Sequence, residues 1–188
     1  MRIGVVSDTH GFFDPRLSEL LDGVEAILHA GDVGSQSVLD AFQETAPVQA
    51  VRGNADSLLL DLPVSRRLSF EGVQMEMLHM LPGSQSDLEK WAKGQTAGKA
   101  PAARREAFLR SFDEATRVVI FGHSHEPCLV TLGRRLFFNP GSAGKNRFSL
   151  PRCCDRLEIS AGELRATVVP LERYNGELPG EVRLTLGE

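Results

Sequence analysis

Four of the five histidines in this chain stand where an apolar, strand-like run ends. Asp8-Thr9-His10 follows the run 3–6, His79 follows 75–78, and Gly122-His123-Ser124-His125 follows 118–121. Asp32 closes Ala30-Gly31-Asp32, and Asn54 follows Gly53. Imidazole is the commonest transition-metal ligand, and carboxylate and amide oxygens complete mixed nitrogen–oxygen sites. Side chains at i and i+2 of an extended strand share a side, so Asp8 with His10, and His123 with His125, are each expected to converge if the backbone stays extended. Gly31, Gly53 and Gly122 precede three of these ligand candidates, and a residue without Cβ permits a sharp exit and a close backbone approach. Singly, each piece is ordinary: Asp-x-His and Gly-Asn are turn material, and Asp32 could cap a helix. In order and together, they predict a metal cluster outside the carboxyl ends of strands in an α/β sheet.

The elements that must position this cluster are legible as alternating patterns. Apolar runs at 3–6, 26–29 and 48–51 alternate with helical patterns at 15–21 (Leu17, Leu20, Leu21) and 35–44 (Val38, Leu39, Phe42). Continuously apolar strands joined by helices are expected to be buried on both faces. Segments 67–71 and 73–78 flank Glu71-Gly72, which predicts a hairpin. Between about 82 and 116 a helical insert is expected. Ser86-Asp87-Leu88-Glu89 has capping-box spacing for a helix through Trp91, 94–98 reads as a loop, and Pro101 opens a second helix carrying Phe108, Leu109, Phe112 and Ala115. Strands are then predicted at 118–121, 128–132, 135–138, 156–159, 163–171 and 181–186. The whole of 1–188 reads as one domain, α/β at the start and mostly β at the end.

Bulk properties narrow the function class. The 188 residues suit one full core, and 41% hydrophobic with 24% charged residues is ordinary for a globular protein. A net charge of −4 argues against a nucleic-acid-binding surface, and no apolar run reaches membrane-spanning length. No signal-peptide pattern opens the sequence, so a cytoplasmic location is expected. Cys128, Cys153 and Cys154 lack both disulfide-framework and zinc-ribbon spacing, and are expected to be buried thiols in a reducing compartment.

The ordered set Met1-Arg2-Ile3-Gly4-Val5-Val6-Ser7-Asp8-Thr9-His10-Gly11, His29-Ala30-Gly31-Asp32-Val33, Val51-Arg52-Gly53-Asn54-Ala55-Asp56, Gly122-His123-Ser124-His125 and Asn139-Pro140-Gly141-Ser142 resembles the calcineurin-like metallophosphoesterase superfamily, most closely its small YfcE-type phosphodiesterase branch. The resemblance runs from Met1 to about Pro151. It implies a four-layer α/β/β/α sandwich of two mixed sheets with two divalent metal ions at one edge. Asp8, His10 and His125 would hold one ion, Asn54, His79 and His123 the other, and Asp32 would bridge them. The implied activity is hydrolysis of a small phosphorylated substrate by a metal-activated hydroxide, on a diester in preference to a monoester. Asp32 and His10 would stand at the reacting centre, and Asn54 would also touch substrate. Ligation by nitrogen and oxygen without cysteine suits manganese, iron, nickel, cobalt or zinc better than calcium or magnesium, and manganese is the ion expected first. The alternatives are a phosphomonoesterase acting on a nucleotide or small metabolite, and a non-catalytic scaffold of the same fold, as in the retromer complex. Assembly as a homo-oligomer is left open.

Three departures qualify the resemblance. Many superfamily members carry a histidine, proposed to protonate the leaving group, where Ala55 stands; the YfcE-type branch lacks it too. Asp56 is the candidate replacement acid, against a plainer role as a cap of the segment 56–60. Met80 replaces a glycine common after the strand-end histidine. His29 is expected to support a ligand by hydrogen bonding and not to ligate. The insert holds Lys90, Lys93, Lys99, Arg104, Arg105 and Arg110 against Glu106 between 90 and 110. This is either a solvated helical face or a mobile basic lid, with Arg104 and Arg105 contacting substrate.

Overall fold

The computed structural model describes residues 1–56, 61–95, 99–146 and 149–186, with 99 and 100 as backbone only. The expected strands β1 (Arg2–Val6), β2 (Ala26–His29) and β3 (Val48–Ala50) pair in parallel, joined by α1 (Arg16–Leu20) and α2 (Gln36–Gln43). Every residue of β2 is buried, as is β1 after Arg2. Their continuous apolarity reflects layers on both faces. The antiparallel hairpin β4 (Ser65–Phe70) and β5 (Val73–Leu78) turns at Glu71-Gly72, both at positive φ, as a tight primed turn requires. Next come α3 (Gln85–Ala92), α4 (Lys99–Arg110), β6 (Val118–Ile120), β7 (Cys128–Leu132), β8 (Arg135–Asn139), β9 (Cys153–Ser160), β10 (Glu163–Pro170) and β11 (Val182–Thr185).

Two mixed sheets result, in the orders β11-β10-β9-β1-β2-β3 and β4-β5-β6-β8-β7. They face each other across one apolar cluster, with Ile3, Val5, Leu28 and Leu157 from the first sheet against Met75, Met77, Ile120 and Phe138 from the second. Leu17, Leu21, Val38 and Phe42 place α1 and α2 on the outer face of the first sheet beside Val6 and Ile27. Leu88, Trp91, Phe108 and Phe112 place α3 and α4 on the outer face of the second beside Val119 and Phe137. The architecture is the four-layer α/β/β/α sandwich. Each such fully buried side chain contributes about 1.5–3 kcal/mol, so three apolar interfaces hold the strand ends in place.

Two boundaries differ from expectation for tertiary reasons. Helix α3 starts at Gln85, capped by Ser84, whose Oγ accepts from the Asp87 N–H (3.1 Å). The cap falls two residues before Ser86 because Gln85 is drawn inward, where its Oε1 accepts from Ser124 Oγ (2.8 Å) and Asn139 Nδ2 (3.0 Å). Strand β9 starts at Cys153 instead of 156, since Cys153 and Cys154 pair with Pro170 and Val169 of β10. This carries Asp155 fully inside. Residues 96–98 of the expected loop and 57–60 of the segment after Asp56 lie outside the described residues. All three cysteines are buried and free, and burial pushes their thiols up, Cys154 to about 12. Among the described residues no helix is long and apolar enough to cross a membrane.

Candidate metal centre

The strand ends that the two sheets share are laced together by backbone hydrogen bonds. Asp8 N–H donates to Gly31 O (3.0 Å) and His10 N–H to Asp32 O (2.9 Å), so the turns leaving β1 and β2 run side by side. The Gly122 N–H donates to His79 O (3.0 Å), which joins the exits of β5 and β6. The sheets are stitched to each other where the His123 N–H donates to Asp8 Oδ2 (3.1 Å).

The expected convergence happens, but not through extended backbone. Asp8, His10, Asp32, His123 and His125 all have positive φ, between 49° and 73°. Such residues are uncommon outside glycine, cost of order 1–3 kcal/mol each when strained, and gather at functional sites. The left-handed turn folds each side chain back over its strand end, which period-two alternation alone would not do. The glycines then serve by absence: a Cβ on Gly53 would overlap Asp32 Oδ1, and one on Gly122 would overlap Ser7 Oγ and lie 2.7 Å from Asp8 Oδ2.

These turns gather the predicted ligands into one cluster. Asp8 Oδ1 lies 3.3 Å from His125 Nε2, 3.9 Å from His10 Nε2 and 4.0 Å from His79 Nε2. Asp32 Oδ2 lies 3.4 Å from His79 Nε2 and 3.8 Å from His10 Nε2, between the two halves. His10 and His125 bring their Nε2 atoms to 3.1 Å. Asn54 Oδ1 sits 3.2 Å from His79 Nε2 and 2.9 Å from His123 Nδ1. Donor atoms of Asp8, His10 and His125 fall within 4.8 Å of one another, as do those of Asp8, Asp32 and His79. Asp8 thus reaches the second group as well as the first. Asp8, Asp32, His79 and His125 are buried, whereas Asn54 and His123 are exposed and form the open rim.

The chemistry of this cluster fits a divalent cation. Asp8 Oδ1 is buried yet accepts no hydrogen bond, which is costly for a carboxylate unless a cation serves it. His79 Nδ1 lies 2.8 Å from Ala30 O and must donate to that carbonyl, so in the neutral ring Nε2 is an acceptor. That acceptor faces oxygens of Asp32 and Asn54, an arrangement that needs a proton or a metal ion between them. Metal-free, the proton takes that place. Burial lowers the pKa of His79, but the Asp32 and Asp8 carboxylates and Ala30 O outweigh it and raise it overall. Burial raises that of Asp32, but hydrogen bonds from His79 and the Ala55 N–H outweigh it and hold the carboxyl at about 2.

His29 supports this cluster from below without joining it. Thr9 Oγ1 donates to Val33 O (2.9 Å), so His29 Nε2 must donate to Thr9 Oγ1 (2.9 Å) and its Nδ1 accepts from the Gly31 N–H (3.2 Å). That pattern requires the neutral ring. Complete burial pushes its pKa down to about 4, despite the nearby Asp8 and Asp56 carboxylates.

Asp56 does not have the geometry of a proton donor. Its Oδ1 accepts from the Gly34 N–H (2.8 Å) and its Oδ2 from the N–H groups of Val33 (3.1 Å) and Gly53 (2.9 Å). A carboxyl with every contact an acceptor contact ties the turns after β2 and β3 together. Arg104 is drawn away from the cluster, pairing with Asp87 at 2.8 Å between α4 and α3. Helix α4 is anchored through Phe108 and Phe112, so a lid motion would have to open that interface. Arg105 is half-buried on the same helix, and no described contact links it to the cluster. Asn139, from the motif Asn139-Pro140-Gly141-Ser142, and Gln85, which sequence reasoning missed, brace the His123–His125 turn through Ser124 Oγ and Gly122 O. The capping pattern drew attention to Ser86, although Ser84-x-x-Asp87 was also there to be read.

A family model for the calcineurin-like phosphoesterase superfamily domain matches residues 1–162. The chain belongs to this superfamily. Within it, the chain is 31% identical over 177 residues to a probable metallophosphoesterase of Methanothermobacter thermautotrophicus, covering 90% of this chain and 92% of the relative. Its fold is similar to that of Vps29 from Chaetomium thermophilum, with a TM-score of 0.73 at 18% identity over 98% and 97% of the two chains. It is likewise similar to the structure of a novel archaeal phosphodiesterase, with a TM-score of 0.63 at 22% identity over 90% of this chain and all of that one. The superfamily match covers every strand end that carries a ligand candidate. The chain is therefore a metallophosphoesterase-type protein with a cluster of metal-ligand candidates at the shared sheet edge.

Proposed function

We propose that the chain is a dinuclear-metal phosphoesterase and that phosphodiesters are its preferred substrates. Asp8, His10 and His125 hold one ion, Asn54, His79 and His123 the other, and Asp32 lies between them. A pair of divalent ions supplies a strong nucleophile from water at neutral pH and offsets charge on the phosphoryl group. The observation that carries this reading is Asp8 Oδ1, a buried carboxylate oxygen without a hydrogen bond and within 4.0 Å of three imidazole nitrogens. Nitrogen and oxygen donors without sulfur accommodate manganese, nickel, iron, cobalt or zinc, and manganese is the ion proposed here.

The chain's own residues set the scope of the reaction. Asn54 and His123 form the exposed rim and orient the phosphoryl group as it enters. Asp32 is kept ionised in part by the Ala55 N–H at 2.8 Å, and the His123 N–H donates to Asp8 Oδ2 and fixes its orientation. No described side chain at the rim is placed to protonate a leaving oxygen, because Ala55 replaces the usual histidine and Asp56 only accepts. Esters with good leaving groups are therefore favoured. A scaffold has no use for five ligand-type residues in left-handed turns, one of them the unserved carboxylate of Asp8, since each is a cost to folding. The similarity to an archaeal phosphodiesterase supports the diester preference. A soluble, cytoplasmic enzyme acting on small phosphorylated molecules fits these features.

Metal stoichiometry tests the reading directly. Calorimetric titration of the metal-depleted protein with manganese should show two ions per chain, and Asp32→Asn or His125→Ala should each remove at least one. Absence of saturable binding of manganese, nickel and zinc would overturn it.

A further inference from the structure

Beside the cluster, on the His79 and Asn54 side, lies a cavity of about 670 Å³. His79 and Asn54 line it together with Arg52, Val64, Leu78 and Met80. Its position makes it continuous with the phosphoryl site, because those two residues belong to both. Its size falls within the range of pockets that take drug- or cofactor-sized groups.

The walls are unusual for this protein. Val64 is 62% exposed and Met80 52%, and with Tyr174 they are the large apolar side chains left exposed among the described residues. Two of those three flank a single pocket, next to the place where a substrate must enter. Scattered exposed apolar residues need no explanation, but a group of them at a binding site does. Arg52 adds a second feature. Its backbone N–H donates to Pro63 O (2.8 Å), yet among the described residues its guanidinium has neither an ion pair nor a hydrogen bond. It is half-buried against the cavity. A planar, weakly hydrated guanidinium beside an apolar wall is suited to stacking on a flat ring.

We infer that this pocket is a specificity site for one organic group of the phosphoester, and that it selects an uncharged planar ring such as an aryl group or a nucleobase. Val64, Leu78 and Met80 supply the apolar wall, and Arg52 covers the ring's face. The inference rests on the metallophosphoesterase reading above, which places the phosphorus at the cluster. It gives Met80 a purpose: in place of the expected glycine, it builds one side of the pocket.

Non-hydrolysable phosphonates separate the pocket from the chemistry. Calorimetric binding of phenylphosphonate and methylphosphonate to the manganese-loaded protein should differ by about tenfold or more in favour of phenyl, equivalent to about 1.4 kcal/mol. The double substitution Val64→Asp with Met80→Asp should reduce that ratio to about threefold or less, and Arg52→Met should weaken phenylphosphonate more than methylphosphonate. Tyr174→Ser, which lines no part of the pocket, should leave the ratio as it is. Thermal melts of each variant confirm that it is folded. Equal affinities in the parent would overturn the inference, as would a ratio that survives the double substitution, since the patch would then serve something other than substrate. Failure of both phosphonates to bind with any metal would instead remove the metal reading, and this inference would fall with it.

Discussion

Substituting His29 tests whether a neutral, buried imidazole holds the Gly31-Asp32 turn. The ring is fully buried, donates from Nε2 to Thr9 and accepts the Gly31 N–H at Nδ1, so protonation would replace an accepted hydrogen bond with a clash of donors. Its pKa drops from 6.5 when unfolded to about 4 when folded. The unfolded chain therefore binds the extra proton first, and stability is full above the unfolded value and declines as pH falls toward the folded one. Linkage across that window gives a loss of about 2 kcal/mol between about pH 7 and pH 5 from this group alone. His79 works in the opposite sense. Its raised pKa gives stability that is present at low pH and lost as pH rises through the folded value, so total curves mix the two. The difference between the parent and His29→Gln isolates the term. Urea unfolding of metal-free protein should show the parent losing about 2 kcal/mol more than the variant over that range. Equal pH slopes would refute the neutral-ring argument.

Gly122→Ala should lower metal affinity by about 10- to 100-fold while the protein stays folded, because the added methyl overlaps Ser7 Oγ and displaces Asp8; metal titration reads the change. Asp155 is completely buried, with Oδ2 lacking a hydrogen bond, and burial raises its pKa well above the ordinary carboxylate value of 3.8. A raised carboxyl pKa costs stability as pH climbs above the unfolded value, so Asp155→Asn should gain stability over the parent at neutral pH and not at about pH 3. Chemical denaturation at the two pH values decides it. Neutralising Arg104 and Arg105 to glutamine should cost about 1 kcal/mol or less, since the Arg104–Asp87 pair is solvent-exposed. It should also leave KM within about twofold for small and large diesters; a tenfold rise confined to large ones would show that the insert reaches the substrate.

Much of this architecture was legible because the signals were local. The runs at 3–6, 26–29 and 118–121 are apolar throughout, which made burial on both faces legible from composition, whereas the four-layer sandwich was implied only by the resemblance. The cluster of ligand candidates was legible because its residue types are few and their places at strand ends are regular. What escaped depended on partners distant in sequence. Nothing near Asp56 reveals that its oxygens face the N–H groups of Val33 and Gly34 across two turns. The left-handed turns at Asp8 and His123 are tied to partners distant in sequence, the Asp8 N–H to Gly31 O and the His123 N–H to Asp8 Oδ2. Ser84 became the cap of α3 because Gln85 was pulled toward Asn139. Strand β9 took in Asp155, against its polarity, because the flanking Cys154 and Leu157 pair with β10. Arg52 precedes the Gly-Asn turn in sequence, and only the folded chain sets it against the cavity.

Hydrolysis of phosphoesters by this cluster requires the metals that its ligands are proposed to hold. The decisive assay strips the protein of metal, reloads it with manganese, nickel, zinc or magnesium, and compares one aryl phosphodiester with the matching monoester. Manganese should restore turnover, with the diester preferred, and Asp32→Asn and His123→Ala should each abolish it in folded protein. A reloaded parent that hydrolyses neither ester with any of these metals would contradict the account.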